Sequence, residues 1–130
     1  MINNYRPHML PKVRSEQIMA AAAGMPCTLR ISSFYPGYTC SGPDTTVGCH
    51  PDNMGAAGGK GTSTKPTDML VMFGCKHCHD IMAGVDKKRH EFVVLNYEAA
   101  VLERMIHALR ETHAMLLEEG IMVIPDAEFV

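Results

Sequence analysis

The chain has no tryptophan and only eight other aromatic side chains, four Phe and four Tyr, among its 130 residues. Apolar residues make up 46% of the sequence, and 11 methionines supply flexible apolar side chains where rings are scarce. Glycine and proline are concentrated before residue 66, which predicts a loop-rich front half. Because such a half buries little apolar surface per residue, we expect it to need a cross-link.

No stretch reaches the roughly 18 to 20 apolar residues that cross a bilayer, and the N-terminus contains no apolar run of signal-peptide length. We therefore expect a cytoplasmic protein without a membrane partner. In a reducing cytosol, five cysteines favour a bound metal or a reactive thiol over a disulfide framework. The length predicts one domain, over 15–124, with an extended arm over 1–14 and a tail over 125–130.

Charge is distributed unevenly along the chain. Residues 1–96 carry 10 Lys or Arg against 7 Asp or Glu, whereas residues 97–130 carry 2 against 7. The net charge of −2 therefore combines a mildly basic front half with an acidic C-terminal element. A solvated acidic helix is the ordinary explanation, so charge alone does not decide whether a nucleic acid is the partner.

The front half predicts short elements. Ser15 is a candidate cap for a helix over Gln17–Ala23, which Gly24 would end. Alternating side chains predict a strand over Cys27–Ile31 and a second one over Thr45–Cys49. We expect these two strands to form an antiparallel hairpin.

The back half predicts a short helical turn or two over 77–83 and a short strand over Phe92–Leu95. Its clearest element is a helix over 97–119, with apolar residues at 3-to-4 spacing, Asn96 as its cap and Gly120 at its end. The apolar stripe continues into the residues after Gly120. This exposed face makes a homodimer through the C-terminal helix plausible.

Four cysteines are the strongest chemical signal. Cys75-Lys-His-Cys78 places two sulfurs on one tight turn, as zinc sites typically do. Cys27 and Cys40, at the two sides of the predicted hairpin loop, supply the other pair, although twelve intervening residues exceed a standard knuckle. Cys49 is interpreted as a buried strand residue. It also stays open as the alternative to Cys40 for the fourth ligand.

The segment from Cys75 to His79 matches two other patterns as well. A c-type haem attachment site has the same spacing, but that chemistry normally follows export. A thioredoxin-like redox pair needs a βαβ arrangement, and no parallel-strand pattern surrounds this motif. A structural zinc ion is therefore the favoured interpretation, since the front half builds little core of its own.

Two histidines adjoin this expected zinc site. His50 ends the second predicted strand, and His79 directly follows the last zinc cysteine. A strand end that faces a short helix brings two such imidazoles together. One imidazole then serves as a general base towards water, and the other binds a divalent cation that stabilises a phosphoryl oxyanion.

The ordered segments Met25–Ile31, Thr46–His50, Gly59–Asp68 and Cys75–Asp80 resemble the YbcO-type nucleases of lambdoid prophages, and the similarity covers about residues 16–120. The same order also resembles the wider ββα-metal, or HNH and endonuclease VII-like, fold. This resemblance implies an α+β domain in which a zinc-bound ββα-metal core lies between an N-terminal helix and a long C-terminal helix. It also implies metal-dependent hydrolysis of DNA phosphodiester bonds in phage recombination or DNA processing.

Carried over residue by residue, the resemblance makes His50 the general base and His79 a ligand of a catalytic Mg²⁺ or Mn²⁺ ion. Asp68 falls near the loop position that orients the base, and an aspartate there either binds the cation or caps the next segment. Outside these positions, candidate phosphate contacts lie in the glycine-rich loop, between the zinc cysteines and in the basic run after them. They are Lys60, Lys65, Lys76, Lys87, Lys88 and Arg89, whose alternative interpretation is a solvated loop or face.

Cys49 departs from the family pattern. It precedes His50 where many such nucleases have an acidic residue or a histidine, and thiolate is a poor ligand for Mg²⁺. Either Asp52, Asp68 or Asp80 replaces it, the cation is softer, or the site is degraded. The alternative function is therefore a zinc-dependent DNA-binding or adaptor module that cuts nothing.

Overall fold

A computed structural model describes residues 12–52 and 66–130 and shows a mixed α and β structure, as the sequence predicts. The helices are α1 Glu16–Ala20, α2 Lys76–Ala83, α3 Lys87–His90 and α4 Glu98–Glu118, and the strands are β1 Val47–Cys49 and β2 Met72–Gly74. Short 3-10 turns cover Ser32–Phe34, Pro43–Thr45 and Asp68–Leu70, and a π-helical turn covers Glu91–Leu95. No helix in the described ranges is long and apolar enough to cross a membrane.

The two strands pair antiparallel, with Val47 opposite Gly74 and Cys49 opposite Met72. Helix α2 follows β2 directly, because Cys75, still extended, is its N-cap and its sulfur accepts the backbone N–H of Cys78. The chain therefore runs strand, connector, strand, helix. Part of that connector, with Lys60 and Lys65, lies outside the described residues.

The predicted strand over Cys27–Ile31 is wrong, and β2 pairs with β1 in its place. Thr28 and Leu29 both donate their backbone N–H to the Phe73 carbonyl, at 2.7 and 3.1 Å, which interrupts regular strand pairing. Arg30 has a φ of +47°, in the left-handed region that ends an extended segment. The strand β2 is a fully buried apolar run, and such runs carry no alternation that would identify them.

The predicted strand over Phe92–Leu95 is also wrong, because these residues continue α3 as a π-helical turn with Val93 and Val94 buried. Helix α4 forms as predicted and ends before Gly120, whose φ is +69°. Asn96 does not cap it, since its side chain donates to the Glu91 carbonyl at 3.5 Å.

Helix α1 forms as predicted at its start and is shorter at its end. The Ser15 hydroxyl accepts the backbone N–H of Ile18 at 3.1 Å. The helix packs against β1 at Gly48, where an added Cβ would lie 2.6 Å from the Met19 Cε atom. Glycine at this position therefore lets α1 approach the sheet.

The sheet separates two apolar clusters, because successive side chains of a strand point to opposite faces. Met72 and Cys49 belong to the larger cluster, which also contains buried residues of α2, the π-helical turn and α4. Phe73 belongs to the smaller cluster with Ile18 of α1 and Leu116 of α4. The core thus fixes β1, and the residue after it, between α1 and α2.

A buried hydrogen-bond network attaches α4 to the front half. The hydroxyls of Thr28 and Thr112 lie 2.8 Å apart, and the Phe73 N–H donates to both, at 3.0 and 3.3 Å. Thr28 and Thr112 are both at least 99% buried. A hydroxyl here satisfies backbone groups that would otherwise be desolvated without partners.

We expect Thr112→Val to destabilise the protein by about 1 to 3 kcal/mol, because it removes a buried acceptor without changing the side-chain volume. Urea unfolding of both proteins measures the difference. Thr46→Val is the matched control: Thr46 is also buried, and its hydroxyl has no hydrogen-bond partner among the described residues. That exchange should be neutral or stabilising, and equal losses in the two variants would contradict the role assigned to the network.

Candidate metal centre and neighbouring histidines

The sulfur atoms of Cys27, Cys40, Cys75 and Cys78 all lie within 4.8 Å of one another. A tetrahedral zinc ion with bonds of about 2.3 Å separates its sulfur ligands by about 3.8 Å. The Sγ atoms of Cys40 and Cys78 are 3.7 Å apart. All four cysteines are free thiols, so this donor set fits a metal ion such as zinc.

Two similar turns bring the sulfurs together. The Arg30 N–H donates to the Cys27 sulfur at 3.4 Å, and the Cys78 N–H donates to the Cys75 sulfur at 3.5 Å. In each turn the donor lies three residues after the acceptor, which wraps the backbone around the sulfur. The positive φ of Arg30 closes the first turn. The turn around the Cys27 sulfur therefore forms in place of the strand that the residues over 27–31 favour.

Neighbouring thiols and backbone donors decide where charge resides in this cluster. Hydrogen bonds from Cys27 and Cys78 lower the pKa of the Cys75 thiol, and the Ser41 N–H adds a donor at 3.4 Å. The same bonds raise the pKa of Cys78, and burial raises the pKa of Cys40 to about 12. A divalent cation would allow all four to ionise, since metal binding releases thiol protons.

Cys49 does not belong to the cluster. It is 1% exposed in the larger apolar cluster, and burial raises the pKa of its thiol. Its sulfur faces the His50 carbonyl at 3.8 Å. The interpretation of Cys49 as a buried strand residue is therefore confirmed, and Cys40 takes the fourth position in the cluster.

His50, one residue after β1, forms a hydrogen bond with Asp68. The His50 Nε2 atom lies 2.9 Å from Asp68 Oδ1, and their side chains are 15% and 11% exposed. Asp68 Oδ2 accepts the Ser15 N–H at 2.7 Å. Burial opposes ionisation of Asp68, but the bonds from Ser15 and His50 and the nearby charge of Arg14 hold its pKa below the usual value.

Among the described residues, His50 Nε2 pairs with Asp68 and the second ring nitrogen, Nδ1, has no hydrogen-bond partner. Because an ionised carboxylate can only accept, Nε2 carries the shared proton and Nδ1 is left as an acceptor. Asp68 is the first residue of the 3-10 turn over Asp68–Leu70 and does not cap it. Thr67 is the cap, since its hydroxyl accepts the Met69 N–H. The pair opens into a cleft of about 820 Å³, which is lined by Arg14, Ser15, Glu16, Met19, His50, Pro66 and Asp68.

His79 lies on α2, half-exposed, with its Nδ1 atom 3.6 Å from Asp80 Oδ1. It is not among the four clustered ligands. Residues four apart share one flank of a helix, so His79 lies on the flank of Ala83. Ala83 and Asp52 both line a second cleft, of about 530 Å³, whose lining does not include His79.

The rings of His50 and His79 have different hydrogen-bonding and ionic neighbours, and His79 does not line the cleft of His50. Their convergence on one cation and one water stays a prediction.

The expected phosphate contacts fall into three groups. Lys76, Lys87 and Lys88 are exposed, and Lys76 also pairs with Asp80 at 2.7 Å. Arg89 is half-buried and pairs with Asp86 at 2.8 Å. Lys60 and Lys65 lie outside the described residues.

No motif in the sequence singles out Tyr38, yet the structure places it against both Arg89 and His77. The available signal is compositional. Two of the chain's eight aromatic residues, Tyr35 and Tyr38, fall within five positions of Cys40.

Comparison with known proteins identifies related sequences. A family model described as "Putative nuclease YbcO" matches residues 16–120. The chain is 32% identical over 102 residues to "Putative nuclease YbcO" of Escherichia coli (strain K12) and to "Putative nuclease ybcO" of Enterobacteria phage 82. Each alignment covers 78% of this chain and 92% of the relative. No solved structure matches the chain significantly.

Proposed function

Since the chain belongs to the family described as "Putative nuclease YbcO", we propose that it is a metal-dependent endonuclease that hydrolyses phosphodiester bonds of DNA. The observation that carries the proposal is the His50–Asp68 pair in an open cleft, one residue after β1. The relative from phage 82 supports a role in phage or prophage DNA processing in the host cytoplasm.

The order of the central elements supports a zinc-bound ββα-metal, HNH-like core. Two antiparallel strands are followed at once by α2, a histidine follows the first strand, and two clustered cysteines lie at the start of the helix. In this proposal the zinc ion is structural: it ties α2 to the segment over 27–40 and so fixes the helix against the sheet.

His50 is the general base of the proposed reaction. Asp68 fixes the imidazole through Nε2, so Nδ1 accepts a proton from a water molecule in the cleft. The water oxygen forms its bond to phosphorus while the ester P–O bond breaks, and the departing oxygen takes up a proton. Asp68 is a positioning residue in this scheme, because it acts through His50.

A divalent cation, Mg²⁺ or Mn²⁺, would be held by His79 and a carboxylate. Asp68 is engaged by His50 and Ser15, and Cys49 points into the core, so neither supports this ligand set. Asp80, next to His79, is the proposed carboxylate, and Asp52, which lines the second cleft with Ala83, is the alternative. When bound, the cation supplies positive charge beside the phosphate oxygens.

The test is nicking of supercoiled plasmid DNA by the purified protein, with Mg²⁺ or Mn²⁺ added or withheld. We expect cleavage only with added cation. His79→Ala should lower the rate by at least about tenfold at limiting cation, because it removes a proposed ligand. His107→Ala is the matched control, since this histidine is exposed on α4.

Salt-dependent DNA binding without cleavage under any divalent cation would contradict the proposal. It would favour the alternative of a zinc-dependent DNA-binding or adaptor module. The observation behind that alternative is Cys49, which occupies a ligand position of the family pattern but is buried away from both clefts.

A further inference from the structure

Five of the eight aromatic side chains form one band beside the cysteine cluster. Ring centroids lie 5.1 to 6.4 Å apart along the sequence of contacts Phe34, Tyr97, Phe92, Tyr35, Tyr38. None of these five is fully buried, whereas Phe73 in the core is 1% exposed. Four of the five, Phe34, Tyr35, Tyr38 and Phe92, pack partly buried against the larger apolar cluster. The band is thus anchored on the core and keeps part of its ring surface exposed.

One ring of the band lies between two cationic or titratable groups. The Arg89 guanidinium carbon is 3.7 Å from the centroid of the Tyr38 ring, and the His77 ring stacks on Tyr38 at 4.3 Å with an interplanar angle of 21°. Two groups this close to one ring must occupy opposite faces. Arg89, Tyr38 and His77 therefore form a three-layer ladder.

Both ends of the ladder are held in place. Arg89 is paired with Asp86, and the His77 Nδ1 atom donates to the Thr39 carbonyl at 2.7 Å. His77 follows Cys75 by two residues, so the cysteine turn also fixes it. His77 is half-exposed, and among the described residues Tyr38 is the ring that stacks on it, so its second face is the one proposed for a further ring.

The ladder lies among positive charges. Lys76, Lys87 and Lys88 are exposed, and Lys88 places its ammonium 5.9 Å from the Tyr35 ring centroid. Two acidic side chains, Asp80 and Asp86, pair with Lys76 and Arg89. These named groups comprise four basic side chains against two acidic ones, whereas helix α4 contains more acidic than basic residues.

We propose that this aromatic–basic surface binds a single-stranded segment of DNA, with an unpaired base stacked on His77 and phosphates contacted by Lys87 and Lys88. The inference rests on the proposed function for the choice of DNA as the partner. Bases in a duplex stack on each other, so a ring platform can be used only where the strand is unpaired. The surface would direct the protein to flaps, gaps or junctions rather than to intact duplex.

The experiment measures binding by fluorescence anisotropy in buffer without divalent cations, so that no cleavage is involved. The probes are a labelled adenine strand of about 12 nucleotides, the same strand with abasic positions, and a duplex of equal length. The wild type should bind the intact strand about 5- to 20-fold more tightly than the abasic strand, because only the intact strand can stack.

His77→Ala should weaken binding of the strand by a similar factor and leave duplex binding within about twofold. His107→Ala on α4 is the matched control and should change neither. Zinc content and thermal unfolding show whether His77→Ala is folded. The abasic comparison uses the wild-type protein, so it decides the question even if the variant does not fold.

Lys87→Gln with Lys88→Gln tests the phosphate contacts. The slope of log affinity against log salt for the strand should fall by about 1.4, since each phosphate contact on a single strand contributes about 0.7. Arg110→Gln, an exposed charge on α4, should leave the slope unchanged.

Equal affinity for intact and abasic strands would overturn the inference, and so would an equal loss of strand and duplex binding in His77→Ala. Neither result would contradict the proposed hydrolysis of DNA, because the plasmid nicking assay tests that reaction separately. Conversely, a protein that binds the strand by stacking but never nicks DNA would retain this surface and lose the proposed reaction.

Discussion

Cys75→Ser is expected to leave the protein without bound metal and without a cooperative unfolding transition. Cys75 lies at the junction of β2 and α2, and its sulfur accepts two backbone N–H groups as well as facing three other sulfurs. Structural zinc in zinc-finger peptides contributes apparent binding energies of about 10 to 16 kcal/mol at neutral pH. That is comparable with the total stability of a domain, about 5 to 15 kcal/mol.

The reason for so large an effect is the small core of the front half. The segment over 27–40 contains no strand, and it joins the rest through the cluster and a few buried side chains. Without the metal, Cys40 and Cys78 stay protonated, and weak hydrogen bonds between thiols replace the bonds to a metal ion. Far-UV circular dichroism on heating, with metal analysis of each preparation, measures the outcome. Chelation of the wild type should reproduce it.

Cys49→Ala is the matched control for this prediction. Cys49 is as buried as Cys75 but lies outside the cluster, so its replacement should keep one equivalent of metal. Its cost should be about 1 to 2 kcal/mol, from a small cavity in the core. A metal-free Cys75→Ser protein that melts at the wild-type temperature would show that the cysteine cluster is not a structural metal site.

His50→Ala is expected to reduce the rate of DNA cleavage by about 10² to 10⁴, the usual contribution of a positioned general base. DNA binding and zinc content should not change, because His50 is not a ligand of the cluster and lines the cleft through its side chain. Asp68→Asn should lower the cleavage rate at least about tenfold. An amide can donate as well as accept, so it no longer holds the imidazole in the tautomer that has its proton on Nε2 and leaves Nδ1 free.

Added imidazole separates a chemical role of His50 from a structural one. Free imidazole should restore part of the activity of His50→Ala, because a small base can enter the space that the side chain leaves. His107→Ala, with an exposed histidine removed from α4, should cleave at the wild-type rate. Rates that agree within about twofold between wild type and His50→Ala would remove His50 from the mechanism.

Turns and helix ends that depend on neighbours a few residues away could be predicted from the sequence. The spacing of Cys75 and Cys78 predicts a shared turn, Ser15 predicts the start of α1, and Gly120 predicts the end of α4. In each case, the hydrogen bond or φ angle that decides the outcome lies within four residues. These local hydrogen bonds and φ angles depend little on the rest of the molecule.

The pairing of β1 was predicted incorrectly because it is a long-range choice. Alternation over Cys27–Ile31 suits a strand, but the ligand turn at Cys27 and the left-handed Arg30 prevent one. Strand β2 competes successfully because it is buried on both faces, which alternation cannot reveal. The strand predicted over Phe92–Leu95 was wrong for a similar reason. Val93 and Val94 are buried in the core, and either a strand or a helical turn can place them there.

Sequence by itself determined the chemistry that this protein carries: four cysteines, a histidine after a short strand, and a histidine after the last cysteine. Tertiary structure alone decided which groups meet. It selected Cys40 over Cys49, set Asp68 against His50, and placed Tyr38 between Arg89 and His77. The contacts of Cys40 with the other clustered cysteines, of Asp68 with His50 and of Tyr38 with Arg89 and His77 join residues 13 to 51 positions apart. Their geometry depends on how the sheet divides the core rather than on any local pattern.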